Sequence, residues 1–238
     1  MTTALIFAGG IGERMNSRAK PKQFLNIYGK PIIIHTIEYF ERHAGIDCIV
    51  VACLESWIDE LEYMLAATNV KKVTQIVPGG DTGHDSIYNG LKAMSETARD
   101  DDIVLIHDGV RPLISDELIT ENLNTVKEHG SAITISKADE SLGEVAAGKI
   151  VKIANKYKMV IIRAPQTFYF KDIWAAHQKA NDDNYKSVDS ADIMKRYGDI
   201  ELFAVEGTAY NLKLTSPSDY YIYRAIYEAR ESLQIFGL

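Results

Sequence analysis

The residues best suited to chemistry stand at the start of the chain, where an apolar strand ends in glycines. After residues 4–7 comes the run Ala8-Gly9-Gly10-Ile11-Gly12-Glu13-Arg14-Met15, and Pro21-Lys22-Gln23-Phe24 follows shortly. Glycines leave backbone N–H groups open to phosphate oxygens. The same loop carries four cations: Arg14, Arg18, Lys20 and Lys22. This combination predicts a loop that binds a nucleoside triphosphate.

The spacing excludes two better-known phosphate loops. A P-loop requires G-x-x-x-x-G-K-[ST], and no Lys-Ser or Lys-Thr follows these glycines. The dinucleotide-binding fingerprint requires a third small residue where Arg14 or Met15 stands. Taken alone, the glycine run is also compatible with an ordinary strand-to-helix turn with surface charge.

Length and composition limit the classes of protein to which the chain can belong. It has 238 residues, 46% hydrophobic and 25% charged, with a net charge of −7. These values are typical of one globular domain, here residues 1–238, and the negative charge argues against a nucleic-acid partner. No apolar run approaches the roughly 20 residues of a membrane span, and the start of the chain shows no secretion signal. We therefore expect no membrane association and a cytoplasmic location.

Cysteine and histidine usage supports the same expectation. Cys48 and Cys53 share one apolar run and are predicted to be buried and reduced, without a disulfide between them. The six histidines show no metal-binding spacing, so a zinc site has no support.

Apolar strand-like runs alternate with helical patterns along the chain. The predicted strands are 4–7, 48–53, 72–77, 103–107, 131–136 and 201–205. The predicted helices are 31–43, 57–67, 84–97, 116–129 (with Asp116 before its first turn), 171–181, 189–197 and 217–232. Successive apolar residues are typical of strands covered on both faces, so the pattern indicates an α/β fold with a mainly parallel sheet.

Residues 137–163 interrupt this alternation. The segment runs out to a small-residue turn at Ala147-Gly148 and returns, which predicts a β-hairpin. It has too few apolar residues for a core of its own: Leu142, Val145, Ile150, Val151 and Ile153. We therefore expect it to pack against a second copy of the chain and to make the protein a homodimer.

Two polar clusters follow predicted strands, at the sheet edge where open α/β sheets bind ligands. In the first, Gly80 and Asp81 suit a base or ribose, and Ser86 at a helix start suits phosphate, although an ordinary turn is the alternative. In the second, Asp108 is suited to Mg²⁺, which takes one or two carboxylates. We favour a metal ligand over a turn-capping role for Asp108, because the adjacent cation Arg111 would have no function beside a simple turn. His107 is predicted to be a packed residue and not a base.

A third cluster precedes the last helix. Residues 211–214 are predicted to end a short strand on which Lys213 points away from Leu212 and Leu214. Solvent exposure is the default expectation for such a lysine. Lys156 and Lys158 follow the hairpin, before Pro165-Gln166-Thr167-Phe168.

Together these residues resemble the cytidylyltransferases that activate small polyol phosphates. The motifs that carry the resemblance span the chain: residues 8–15, Pro21-Lys22-Gln23-Phe24-Leu25, Gly29-Lys30-Pro31-Ile32, residues 107–112, Pro165-Gln166-Thr167-Phe168 and Asn211-Leu212-Lys213-Leu214-Thr215. The resemblance implies a Rossmann-like, mainly parallel twisted sheet flanked by helices, with residues 137–163 as a protruding dimerisation arm.

The resemblance also implies roles for individual residues. Arg14, Lys22 and Lys213 would be the catalytic cations at the reacting phosphates. CTP would be held by Ala8, Gly9, Gly10, Gly80, Asp81, Ser86, Asp108 and Gly109, with Mg²⁺ on Asp108. The polyol phosphate would be bound by Arg111, Ser141 and Lys156, the last two from the partner's arm.

Several positions depart from the pattern of this family. Lys156 stands where the family has arginine, Ser141 replaces an arm threonine, and Gly83 stands where arginine is frequent, so that His84 is a candidate for the missing contact. The five-residue stretch between Met15 and Pro21, the Gly9-Gly10 pair and Tyr210 favour ribitol 5-phosphate as the acceptor. The alternative within the family is an enzyme whose acceptor is 2-C-methyl-D-erythritol 4-phosphate. A more remote alternative is a protein that binds the nucleotide as a sensor and catalyses no reaction.

Overall fold

The computed structural model describes residues 1–10, 20–187 and 189–236. Its main sheet has seven strands in the order β11-β7-β10-β6-β1-β4-β5. These strands are β1 (Thr2–Ala8), β4 (Cys48–Cys53), β5 (Val73–Pro78), β6 (Ile103–Asp108), β7 (Ser131–Lys137), β10 (Val160–Tyr169) and β11 (Ala204–Glu206). Two small antiparallel pairs lie outside it: β2 (Asn26–Ile27) with β3 (Lys30–Pro31), and β8 (Gly143–Ala146) with β9 (Lys149–Ile153).

The central strands are parallel, as the sequence predicts. β1 pairs with β4 and β6, and β4 pairs with β5, all in parallel. In this register Phe7 lies opposite Asp108, and Ala8 opposite Cys53. The loops after β1, β5 and β6 therefore leave the sheet at the same edge.

Helices cover both faces of the sheet. They are α1 (Ile32–Arg42), α2 (Ile58–Ala66), α3 (Gly83–Met94), α4 (Asp116–His129), α5 (Phe170–Asp182), α6 (Ser190–Tyr197) and α7 (Pro217–Phe236). The core on one face joins α1, α2 and α4 to Ala4, Ile6 and Ala8, and the core on the other joins α3, α5 and α6 to Leu5. This division follows from the alternation of side chains along a strand.

Polar side chains fix the helix starts nearest the ligand-binding edge. Thr82 and Asp85 form a reciprocal capping box at α3, which satisfies backbone N–H groups that lack a partner within the helix. At α4 the cap is Ser115, whose side chain accepts from the Leu118 N–H. The prediction that Asp116 precedes this helix is wrong by one residue, because Asp116 is its first residue.

Strand β10 is absent from the sequence prediction, although it lies near the middle of the sheet. It is antiparallel to both β6 and β7. Its pairing with β7 jumps from Ile162 opposite Ile135 to Gln166 opposite Ile133, so residues 163–165 leave the ladder. The interruption at Pro165 and the exposed first half hide the strand from a search for continuous apolar runs. The small β2–β3 pair was also not predicted.

The predicted hairpin is present and projects from the sheet as β8 and β9. Its turn has Ala147 and Gly148 in the left-handed region, at φ 49° and 76°. It is shorter than predicted, because residues 160–163 belong to β10 and pair with β7 up to Ile162. In the part of the chain that the structure describes, no helix has both the length and the apolar character needed to cross a membrane.

Candidate active site

The glycine loop after β1 lies directly against the loop after β5. A Cβ at Gly9 would come 2.3 Å from Ser86 Oγ and 3.1 Å from Gly79 Cα. Glycine is therefore required at position 9 for two backbones to meet. A Cβ at Gly10, by contrast, would meet no atom of the described residues within 4 Å. The described part of the chain thus leaves Gly10 open to the approach of a ligand.

Ser86 supports this arrangement from the first turn of α3. Its hydroxyl accepts from the Gly80 N–H at 3.1 Å and donates to the Thr82 carbonyl at 2.9 Å. The side chain is fully buried, so its observed role is to hold the turn at Gly80. Contact of Ser86 with phosphate stays a prediction, and so does binding of a base or ribose by Asp81, which is exposed.

Gln23 joins the 21–24 segment to the glycine loop. Its amide nitrogen donates to the carbonyls of Ala8 at 2.7 Å and Gly10 at 3.2 Å, and the side chain is buried. Gln23 thereby places the adjacent Lys22, which begins the short 3-10 turn Lys22–Phe24, beside the glycine loop. The sequence analysis did not predict this role for Gln23. A side-chain amide next to Lys22 could have suggested it, because such a group can hydrogen-bond to the backbone of a neighbouring loop. Arg14 lies outside the described residues, and its proposed role stays a prediction.

The Asp108 carboxylate, at the end of β6, is the electrostatic centre of the site. Arg111 Nε donates to its Oδ2 at 3.1 Å, Arg111 Nη2 lies 3.1 Å from the same oxygen, and the Lys213 ammonium lies 2.5 Å from Oδ1. Burial alone would raise the pKa of this carboxyl, but Arg111 and Lys213 outweigh it and hold the pKa well below its usual range. Asp108 is therefore ionised at neutral pH and joins two loops.

Arg111 is buried, and its Nε and Nη1 both donate within the chain. Besides Asp108, it donates to the Asn211 carbonyl at 2.7 Å, and Asn211 in turn donates to the Ala164 carbonyl at 2.7 Å. These bonds join the loops after β6 and before α7 to strand β10. The geometry gives Arg111 a positioning role, and its predicted contact with the acceptor remains untested.

Lys213 reaches the site from an irregular segment. The predicted strand at 211–214 does not form; instead, buried Leu214 donates its N–H to the Val110 carbonyl at 2.9 Å. This bond docks the segment beside β6, and Lys213 turns to Asp108 and to the Phe7 ring, 5.6 Å away. Its side chain remains 38% exposed. Lys213 is thus ion-paired within the site and has one side open to solvent. The expectation that it would be a solvent-exposed lysine is therefore wrong.

Gly109 and His107 flank Asp108 and have structural roles. A Cβ at Gly109 would come 2.9 Å from the Ala8 Cβ, so glycine allows the loops after β1 and β6 to touch. His107 is fully buried with Nε2 3.1 Å from the Arg111 carbonyl, and burial lowers its pKa to about 4. His107 is packed in the core, as predicted.

A cavity of about 180 Å³ opens beside the Asp108 cluster. Its walls come from β1, β6, β10, α3, the start of α6 and the segment before α7: Phe7, Ile87, Ile106, Asp108, Arg111, Ile162, Arg163, Ala164, Gln166, Asp189, Ser190 and Lys213. Of these, Arg163, Gln166, Asp189 and Ser190 were not predicted as site residues. They were missed because β10 was missed, and because α6 reaches the site only through tertiary packing.

Ser141, Lys156 and His84 are among the candidate residues that do not line this cavity. Ser141 and Lys156 are on the exposed arm, where the Lys156 ammonium lies 3.5 Å from the Asp139 carbonyl. They do not line the cavity of their own subunit. His84 is buried and stacks on His177 at a centroid distance of 5.1 Å, so it is not placed as a cation for phosphate.

The motifs found here recur together in one known family. A sequence profile of the IspD family, 2-C-methyl-D-erythritol 4-phosphate cytidylyltransferase, matches residues 2–229. The chain belongs to this family.

Individual relatives of the chain bear two names. A ribitol-5-phosphate cytidylyltransferase from Vibrio parahaemolyticus is 47% identical over the full length of both chains. A 2-C-methyl-D-erythritol 4-phosphate cytidylyltransferase from Clostridium botulinum is 35% identical over 91% of this chain and 93% of its own. Among solved structures, a 4-diphosphocytidyl-2C-methyl-D-erythritol synthase from Anaerococcus prevotii superposes with a TM-score of 0.83. It covers 95% of this chain and 96% of its own at 25% identity. The predicted fold class and family are thus confirmed.

Proposed function

We propose that the protein transfers CMP from CTP to a polyol phosphate, with ribitol 5-phosphate as the acceptor, and releases pyrophosphate. The observation that carries this proposal is the meeting of the glycine loop with the Asp108–Lys213 pair at one edge of the sheet, in a chain of this family. The full-length likeness to the Vibrio relative supports ribitol 5-phosphate as the acceptor.

The proposed reaction is an in-line substitution at phosphorus. An oxygen of the acceptor phosphate forms a bond to the α-phosphorus of CTP, while the bond from that phosphorus to the oxygen bridging to the β-phosphate breaks. The products are CDP-polyol and pyrophosphate. Such a transfer depends on positioning and on neutralising negative charge, not on a covalent enzyme intermediate. We assign the neutralising roles to Lys213, to Lys22 and to Arg14.

Mg²⁺ is the cofactor that we propose, with Asp108 as its ligand from the protein. The donor fits, because Asp108 is ionised and Mg²⁺ prefers such oxygens. Oδ2 lies 3.1 Å from both Nε and Nη2 of Arg111, whereas Oδ1 is buried with only the Lys213 ammonium beside it among the described residues, so we propose Oδ1 as the oxygen that would bind the metal in place of Lys213. When bound, Mg²⁺ would supply positive charge to the triphosphate.

We further propose that the protein acts as a homodimer in the cytoplasm. The arm exposes Val145, Ile150 and Ile153 on β8 and β9, which supports an interface with a second copy. In such a dimer Ser141 and Lys156 would contribute to the partner's acceptor site. Both cysteines are free thiols, which agrees with a reducing compartment, although Cys48 is only partly buried and not fully buried as predicted.

A pyrophosphate-release assay tests the function. The protein is supplied with CTP, Mg²⁺ and one of three acceptors: ribitol 5-phosphate, 2-C-methyl-D-erythritol 4-phosphate or glycerol 3-phosphate. We expect the highest kcat/KM with ribitol 5-phosphate and none with unphosphorylated ribitol. Preference for the methylerythritol phosphate would support the rival within the family. Absence of turnover with every acceptor would overturn the proposed function and favour a sensor.

A further inference from the structure

Arg163 is a partly buried cation without a carboxylate partner among the described residues. Its Nε donates to Ser136 Oγ at 2.7 Å, and its Nη1 donates to the Asn211 carbonyl at 3.2 Å. Both partners are neutral. Burial lowers the pKa of Arg163, and the nearby Arg111 lowers it further. The guanidinium therefore carries a positive charge that the described residues around it do not balance.

Arg111 has a carboxylate partner in the cavity wall, whereas Arg163 has none among the described residues. Both arginines donate to the same carbonyl, that of Asn211. Arg111 is matched by Asp108, and Asp108 is already shared with Lys213. The remaining carboxylate of the cavity wall, Asp189, caps α6 by accepting from the Asp192 N–H at 3.0 Å. The cavity thus has a surplus of positive charge on the side where the two arginines meet.

The backbone around Arg163 is irregular and is held in place by side-chain hydrogen bonds. Residues 163–165 leave the β7–β10 ladder, and such irregularities redirect side chains beside binding sites. Gln166 fixes the segment, because its amide nitrogen donates to the Arg163 carbonyl at 3.3 Å and its amide oxygen accepts from the Ala191 N–H at 2.7 Å. Arg163 is therefore tied to the start of α6 across the cavity.

The size and lining of the cavity distinguish its ligand from the nucleotide. The volume of about 180 Å³ is below the 300–1,000 Å³ that is common for drug-sized ligands. None of the glycines predicted to hold CTP lines it, whereas Asp108 and Lys213 do. Ser190, buried and without a hydrogen-bond partner among the described residues, adds a free hydroxyl to the wall. This lining suits a small, phosphorylated polyalcohol.

We propose that Arg163 binds the phosphate group of the acceptor within its own subunit and thereby selects phosphorylated acceptors. The inference rests on the proposed function, and it adds a residue to the acceptor site. A guanidinium offers a planar pair of donors that matches phosphate, and the donors of Arg163 beyond Nε and Nη1 have no partner among the described residues.

The first test is kinetic and uses the whole protein. Arg163→Gln should raise the KM for the acceptor about 10- to 100-fold, as expected for a lost charge-assisted hydrogen bond, with the KM for CTP within twofold of wild type. Arg163→Lys should recover part of the loss. Arg42→Gln, which removes an exposed cation that does not line the cavity, should change neither value. An unchanged acceptor KM in Arg163→Gln overturns the inference.

The second test separates binding from a structural role and does not need turnover. Inorganic phosphate is titrated into wild type and Arg163→Gln with CTP already saturating, and Tm is followed. We expect phosphate to raise the Tm of wild type only, and Arg163→Gln without phosphate to be no less stable than wild type, because a buried unmatched charge is gone. A variant that still responds, or a wild type that does not, overturns the inference. Absence of turnover with all acceptors would overturn the proposed function alone.

Discussion

At the scale of single residues, Asp108 holds the site together. Its carboxylate joins Arg111, which is bound to Asn211, and Lys213, which follows Asn211 by two residues. One buried anion therefore aligns the loop after β6 with the segment before α7. A buried charge pair of this kind is costly to break from one side, because the remaining charge is left without a partner.

Asp108→Asn is expected to weaken both stability and activity. The amide leaves Arg111 buried without a counter-charge, so the free energy of unfolding in urea should fall by about 3 kcal/mol. The activity curve against Mg²⁺ should also move to higher concentration, since a neutral amide is a weaker ligand.

Asp116→Asn is the matched control for this experiment. Asp116 pairs with Arg42 at 3.2 Å on the surface, with side chains about half exposed. Such exposed pairs contribute about 1 kcal/mol at most. If Asp108→Asn lowers the free energy of unfolding no more than Asp116→Asn does, the buried Asp108–Arg111 pair does not stabilise the fold.

Lys22→Ala tests a cation of the phosphate loop. Removing one preorganised charge that stabilises a transition state lowers kcat about 10²- to 10³-fold, and Tm should change little. Lys20→Ala is the control, because Lys20 lies two residues away with its ammonium over the Trp57 ring at 5.9 Å. We expect less than a tenfold effect there. Equal kcat values for the two variants would remove Lys22 from the mechanism.

At the scale of elements, α3 and α5 meet through two stacked imidazoles. His84 and His177 are both buried, with ring planes 26° apart. Burial lowers the pKa of His84, and burial, followed by the repulsion that a protonated His84 would exert, lowers the pKa of His177 to about 3. Both rings are therefore neutral in the folded protein at neutral pH.

The stack makes stability depend on pH in a definite direction. Below pH 6.5 the unfolded chain binds a proton at His177 that the folded chain does not, so stability falls as the pH falls from about 6.5 toward 3. This single group contributes a slope of about 1.4 kcal/mol per pH unit below pH 6. His177→Phe should reduce the measured slope by that amount between pH 6 and 5.

Urea unfolding at a series of pH values measures this slope. His43→Gln, at a histidine that contacts Thr120 away from the stack, serves as the control and should keep the wild-type slope. A His177→Phe protein with the full wild-type slope would show that the stack is not the source of acid sensitivity.

At the scale of the whole molecule, the arm carries several apolar side chains that a single subunit leaves uncovered. Val145 and Ile150 are cross-strand partners, and together with Ile153 they are between 65% and 73% exposed. A two-fold contact would bury this surface on both subunits at once.

We therefore expect a dimer by sedimentation, and a monomer for the double variant Ile150→Lys with Ile153→Lys. Tyr63→Lys is the matched control, because Tyr63 on α2 is 76% exposed but lies outside the arm. That variant should stay dimeric. A monomeric wild type with full activity at the assay concentration would contradict the shared-site proposal.

Mixed dimers test whether the arm completes the partner's site. Lys156→Ala and Lys22→Ala subunits should each have low activity alone, because one lacks the arm cation and the other the loop cation. Heterodimers should regain about one working site of two, since each deficient element is supplied by the other subunit. No recovery in verified heterodimers would confine the site to one chain.

The sequence alone determined the α/β class, the parallel central strands and most of the residues at their carboxyl ends. It could do so because these features depend on local signals: apolar runs for buried strands, glycines where backbones meet, and charged residues directly after a strand. Examples are Gly9, Asp108 and the hairpin turn at Ala147-Gly148, which could be predicted from the neighbouring residues in the sequence.

Only the tertiary structure decided which of those residues meet. Lys213 joins Asp108 across 105 positions through a segment that is not a strand, and Arg163 reaches the cavity from a strand hidden by its own irregularity. His84, a candidate cation from its position, is instead packed against His177. Partner choice for a charge depends on which long-range contacts the fold makes, and no local pattern of residue types contains that information.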